Sequence, residues 1–129
     1  MIKFFTVENA MQTIRKKTFD NPDTSIPKMS NTMVDLGDGV FILKQIAEPG
    51  WVWSECVKPK VGTDSCQKRH IGLCVAGRLS VSNVDGSAME IGPGEAYVIE
   101  PGHNARVIGE ENWECYEFHP DTAKTYGKN

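Results

Sequence analysis

Residues 92–103 read GPGEAYVIEPGH. Two Pro-Gly pairs, Pro93-Gly94 and Pro101-Gly102, bracket the short apolar run AYVI, and His103 follows the second pair at once. Pro-Gly suits a type II turn, because the proline ring presets φ at the first central position and glycine takes the positive φ of the second. A strand clamped between tight turns, with an imidazole at the exit, predicts a small β-barrel carrying a polar group at its mouth.

The same punctuation extends outward from this stretch. Short runs rich in β-branched and aromatic residues recur: MVDL, GVFILKQIA, WVWSECVK, HIGLCV, RLSVSNV, AMEI, AYVIE, NARVIG and WECYEF. Turn signals separate them, among them Gly37-Asp38-Gly39, Pro49-Gly50, Gly77 and Asp85-Gly86. That cadence predicts an all-β sandwich or barrel, and closure into a double-sheet jelly roll shelters most strand edges. Asp85-Gly86 is expected to form a two-residue type I′ hairpin turn, since aspartate tolerates positive φ and glycine adopts it freely.

The chain of 129 residues suits one domain, with 40% hydrophobic and 24% charged residues. The formal net charge of −3 supplies no basic excess to neutralise phosphates, so nucleic acid is not an expected partner. The short basic run Arg15-Lys16-Lys17 reads as solvated surface. No stretch reaches the ~18 consecutive apolar residues of a membrane span. The N-terminal residues lack the apolar core and cleavage site of a secretory signal, so a cytoplasmic location is expected. Cys56, Cys66, Cys74 and Cys115 are then thiols, at spacings of neither a redox pair nor a zinc ribbon.

Residues 1–30 are expected to form an N-terminal arm, with a short helix over 8–17 on which Ala10, Met11 and Ile14 share a face. The barrel is expected over 31–120 and a tail, beyond His119, over 121–129. The arm has little place in a minimal barrel and is expected against the outside of the domain or against a partner subunit. Within WVWSEC, read as a strand, Trp51, Trp53 and Glu55 share one face. That face is either an aromatic pocket lining with a polar contact or core with a solvated end. Cys74 and Cys115 read as core filling. Tyr97 either lends its hydroxyl to a ligand or packs, and so does Tyr116; Arg106 either grips an acidic substrate by a two-pronged contact or lies on the surface.

GTDSCQKRHIGLCVAGRLSV, followed by IGPGEAYVIEPGHNARV, resembles the two sequence motifs of the cupin superfamily. Gly77 matches the turn glycine closing the first motif, Gly94-Glu95 matches the Gly-Asp that opens the second, and Pro101-Gly102 matches its turn. The resemblance implies a jelly-roll (double-stranded β-helix) barrel with a site in its mouth, and a homodimer. The ligand positions depart from the pattern. Counting back from Gly77, His70 stands at the usual glutamate, with Asp64 and Cys66 at the usual histidines. In the second motif the usual histidine falls on Ala105, with His103 two residues earlier on the same strand face.

The candidate cluster is therefore Cys66, His70 and His103, with Asp64 or Glu55 as a fourth group. A thiolate and two imidazoles suit zinc, and nitrogen–carboxylate sets suit iron, nickel or manganese. Trp53, Glu55 and Tyr97 are the candidate ligand-pocket residues. The same residues also read as scaffold: a buried thiol as filler and the histidines as satisfied core or rim groups. The expected function is a barrel binding a small organic ligand. It is either a metal-dependent enzyme of isomerase, decarboxylase or dioxygenase type, or a metal-free binding or sensing module.

Overall fold

The computed structural model describes residues 12–118. The expected helix over 8–17 lies partly outside that span, and its described part, residues 12–17, is bend and irregular chain rather than helix. His119 and the tail over 121–129 lie outside it altogether.

The described chain is built of nine strands and two single helical turns: β1 (Thr24–Ile26), β2 (Met29–Gly37), β3 (Val40–Ala47), α1 (Trp53–Cys56), α2 (Lys58–Val61), β4 (His70–Ala76), β5 (Arg78–Asn83), β6 (Ala88–Ile91), β7 (Ala96–Ile99), β8 (His103–Ile108) and β9 (Trp113–Glu117). All strand pairing is antiparallel. A six-stranded sheet runs β1-β2-β3-β9-β4-β7, and a three-stranded sheet runs β6-β5-β8. The predicted all-β jelly roll is the observed architecture. Pairing begins at Thr24, seven residues before the expected start of the barrel at 31.

Alternation sorts the residues. On β4, His70, Gly72 and Cys74 point inward while Leu73 and Val75 face out. On β8, His103, Ala105 and Val107 are inward, and on β9 Trp113, Cys115 and Glu117. Leu79, Val81 and Ile91 of the small sheet join Cys74, Cys115 and Trp113 of the large one in a single hydrophobic cluster. Each full-sized apolar side chain removed from water there contributes about 1.5–3 kcal/mol. None of the four cysteines is in a disulfide and all are buried, and Cys74 and Cys115 pair across β4 and β9 as the expected core filling.

Three local expectations are corrected. WVWSEC is not a strand: Cys56 N–H bonds Val52 O and Val57 N–H bonds Trp53 O, making a helical turn. Trp53, Cys56 and Val57, at i, i+3 and i+4, are its buried face, a helical spacing that outweighs the short apparent alternation. Glu55 is consequently exposed. The Asp85-Gly86 turn has positive φ only at Gly86, so it is not type I′. The pair of positive φ values occurs instead at Asp38 and Gly39, in the two-residue link between β2 and β3.

Two glycines are demanded by geometry. Gly77 turns β4 into β5 at φ +77°, and a Cβ there would run into the backbone of Asn112 and Trp113. A Cβ on Gly72 would lie 2.7 Å from the Tyr97 hydroxyl oxygen, so this glycine lets the Tyr97 ring close on β4. The described part of the arm packs on the outside of its own large sheet. Phe19 meets Tyr116 edge-on at 5.4 Å, Arg15 donates to Leu36 O, and Asp23 accepts the Met33 N–H. No helix among the described residues is long and apolar enough to cross a membrane.

Candidate functional site

Backbone pairing assembles the site. His103 opens β8 directly after the Pro101-Gly102 turn, and His70 opens β4 opposite Ile99 of β7. Cys66 lies in the preceding loop, but its backbone forms an antiparallel bridge with His103, with Cys66 N–H on His103 O at 2.8 Å and Gly102 N–H on Cys66 O at 2.7 Å. The bridge sets the thiol beside both rings. The donor atoms of Cys66, His70 and His103 all lie within 4.8 Å of one another, and all three residues are buried.

Each imidazole is tied down through Nδ1. His103 Nδ1–H donates to Glu100 O at 2.7 Å; a carbonyl only accepts, so the proton sits on Nδ1. His70 Nδ1–H donates to Glu117 at 2.8 Å, and its Nε2 stands 3.5 Å from the Cys66 sulfur. The rings pack edge to face with centroids 4.9 Å apart. Nδ1 is thus the nitrogen by which the protein holds each ring, the arrangement a metal-ligating histidine adopts when a carboxylate or carbonyl holds its other nitrogen.

The electrostatics agree. Burial alone would raise the Cys66 thiol, but hydrogen bonds from His103 and His70 and their charge outweigh it and hold it far below the usual thiol range. Burial likewise disfavours a charged His70, but Glu117 and the sulfur beside it raise its pKa well above the usual imidazole range. Both shifts favour the charged forms of the pair, a thiolate beside an imidazolium, in the metal-free protein.

Glu117 is the functional residue that sequence reading missed. It is buried, and its second oxygen accepts the Tyr97 hydroxyl at 2.6 Å. The signal was present: Trp113, Cys115 and Glu117 alternate, so an inward Cys115 carries Glu117 inward too. Burial first, then the neighbouring Glu117 charge, drives the Tyr97 pKa far up, so the hydroxyl stays protonated as a donor.

A cavity of about 40 Å³ opens beside the two histidines. His70, His103 and Glu117 form its polar end, and Trp51, Trp53 and Gln45 stand among its other walls. Cys66 is not part of that wall. Of the expected pocket residues Trp53 is in place. Tyr97 is buried one contact back, behind Glu117, and Glu55 is outside. Asp64, expected as a fourth ligand, has a fully exposed side chain and pairs with Lys58 at 3.5 Å, because the Thr63–Ser65 bend turns it to solvent. Arg106 is exposed, which fits the surface reading.

No family model matches the chain, and no curated protein matches it by sequence. Solved structures do match. One is a protein of unknown function from Rhizobium leguminosarum bv. viciae 3841, 22% identical over 84% of this chain and 99% of that one, with a TM-score of 0.58. Another is KdgF from Halomonas sp., 20% identical over 81% of this chain and 94% of that one, TM-score 0.53. A third is the Cupin_2 domain of an XRE family transcriptional regulator from Enterobacter cloacae, 13% identical over 70% of this chain and 94% of that one, TM-score 0.51. With its two antiparallel sheets, its turn glycine at Gly77 and its histidines at the barrel mouth, the chain has the cupin fold.

Proposed function

We propose that the protein binds a divalent transition metal through Cys66, His70 and His103 and acts on a small organic ligand in the adjoining cavity. The observation that carries this reading is the anchoring of both Nδ1 atoms, which leaves two imidazole nitrogens and one thiolate as a donor set within 4.8 Å. The set fits zinc well, and iron, nickel or manganese less closely, since a thiolate is a softer ligand than a carboxylate. Three protein ligands leave a coordination position for substrate, as catalytic sites do. When bound, such an ion supplies Lewis-acid polarisation of a ligand oxygen. The chain's own residues do the rest: Glu117 and Glu100 O hold the rings, Tyr97 keeps Glu117 in place, and the apolar walls exclude water.

The test is metal content of tag-free protein after exposure to Zn, Fe, Ni and Mn salts. Binding of about one equivalent, lost in His70→Ala, supports the reading. Less than a tenth of an equivalent for every metal sinks it. A second reading rests on the line Cys66–His70–Glu117, with contacts of 3.5 and 2.8 Å, in which the thiolate itself is the nucleophile and no ion is needed. Retained activity after complete metal removal favours that reading.

A further inference from the structure

We infer that the cavity is shaped for a small carboxylate: a ligand that brings oxygen acceptors, and no N–H donors, on a short apolar body. The inference shares the cavity of the reading above, but its argument comes from a different set of atoms. Among the described residues, the buried side-chain nitrogens and oxygens without a hydrogen-bond partner are Trp51 Nε1, Trp53 Nε1 and Asn31 Nδ2. All are donors. Both tryptophans line the cavity, at 5% and 3% exposure, and Asn31 is bonded to Gln45, which lines it too. Buried donors are rarely left unpaired, so an acceptor is expected to reach this wall.

The oxygen acceptors nearby each already hold a hydrogen bond. One oxygen of Glu117 accepts from His70 and the other from Tyr97. Asn31 Oδ1 accepts from Gln45 Nε2, and Gln45 Oε1 from the Cys115 thiol. A ligand bearing carboxylate oxygens finds unused indole donors, whereas an amine cannot accept from them and, His103 Nε2 apart, meets acceptors that already hold a hydrogen bond. Water can also accept from an indole, and indole signals that no carboxylate moves would mark that case. The apolar remainder of the wall, including Leu79, Ile99 and Ala105, suits a short hydrocarbon body, and about 40 Å³ admits only a few heavy atoms beyond the rim.

The experiment uses the indole N–H signals of the full chain, labelled with ¹⁵N. The sequence holds three tryptophans, and the third, Trp113, also lines the cavity but has its N–H engaged by Cys115, so it serves as the partnered reference. Butyrate is expected to shift the Trp51 and Trp53 signals, assigned with Trp51→Phe and Trp53→Phe, more than that of Trp113, whose N–H is already bonded. n-Butylamine is expected to shift neither. Trp53→Phe should weaken butyrate binding about tenfold. Should a variant fail to fold, the wild-type thermal midpoint with butyrate against n-butylamine still decides, since only the acid is expected to raise it. Indole signals unmoved by any short-chain carboxylate, or moved equally by the amine, would overturn the inference. The titration is run on chelator-stripped and on metal-loaded protein. A carboxylate response from protein that takes up no metal upholds the inference and sinks the metal reading. Full metal loading without an indole response does the reverse.

Discussion

His70 donates its Nδ1–H to Glu117 at 2.8 Å inside the barrel, across 47 residues of sequence, with both side chains buried. That one contact fixes the orientation of the imidazole, holds its charge, and directs Nε2 toward Cys66. An inward carboxylate needs partners, and here His70 and Tyr97 use both of its oxygens.

Glu117→Gln is expected to weaken metal binding about 10- to 100-fold while keeping the fold, because the amide can still bond its neighbours but no longer carries the charge facing His70. Competition against a chromophoric chelator measures it. Unchanged affinity would remove Glu117 from the site's support.

Stability should be level across the neutral range and fall at alkaline pH. In metal-free protein Cys66, lowered from 9.0 to about 5, contributes stability that is complete above 9.0 and lost as pH falls toward about 5. His70, raised from 6.5 to about 10, contributes stability that is complete below 6.5 and lost as pH rises toward about 10. The two slopes oppose each other between 6.5 and 9.0. Above that range Cys66 no longer compensates. Cys115 is raised chiefly by burial, and Tyr97 by burial and Glu117, so both give up stability as pH climbs past their ordinary values of 9.0 and 10.0. Each such group contributes a slope of about 1.4 kcal/mol per pH unit. Urea unfolding across the alkaline range checks this, and Tyr97→Phe should flatten the decline. Stability that held level into strong alkali would contradict it.

Asp64→Asn and Glu55→Gln are expected to leave metal binding and thermal stability unchanged, since both side chains face solvent and the Lys58–Asp64 pair is an exposed one of little worth. A loss of metal in either variant, read by elemental analysis, would mean that the 55–64 segment folds onto the site.

Gly77→Ala should destabilise the fold by about 3 kcal/mol or more, combining a positive φ with a Cβ driven into the Asn112 backbone. Gly86→Ala, at a positive φ but with open space around it, should cost about 1 kcal/mol. Equal losses by chemical denaturation would show that φ alone, not the close approach, governs Gly77.

Much of the barrel was legible because its causes are local. Pro-Gly and Gly-rich turns, period-two alternation and the turn glycine at 77 act over a few residues, so eight of the nine predicted runs lie where strands form. The same alternation placed His103 and Ala105 on one inward face. Motif spacing brought Cys66, His70 and His103 into one cluster, as the structure does. What the sequence alone could not decide was set by long-range pairing. Insertion of β9 between β3 and β4 buries Glu117 opposite Gly72 and makes it the partner of His70. The segment after Pro49-Gly50 buries Trp53, Cys56 and Val57 by coiling rather than extending, which turns Glu55 outward. Local chemistry selects turns and faces, but which faces meet depends on loop closure across tens of residues, and only the folded chain resolves that choice.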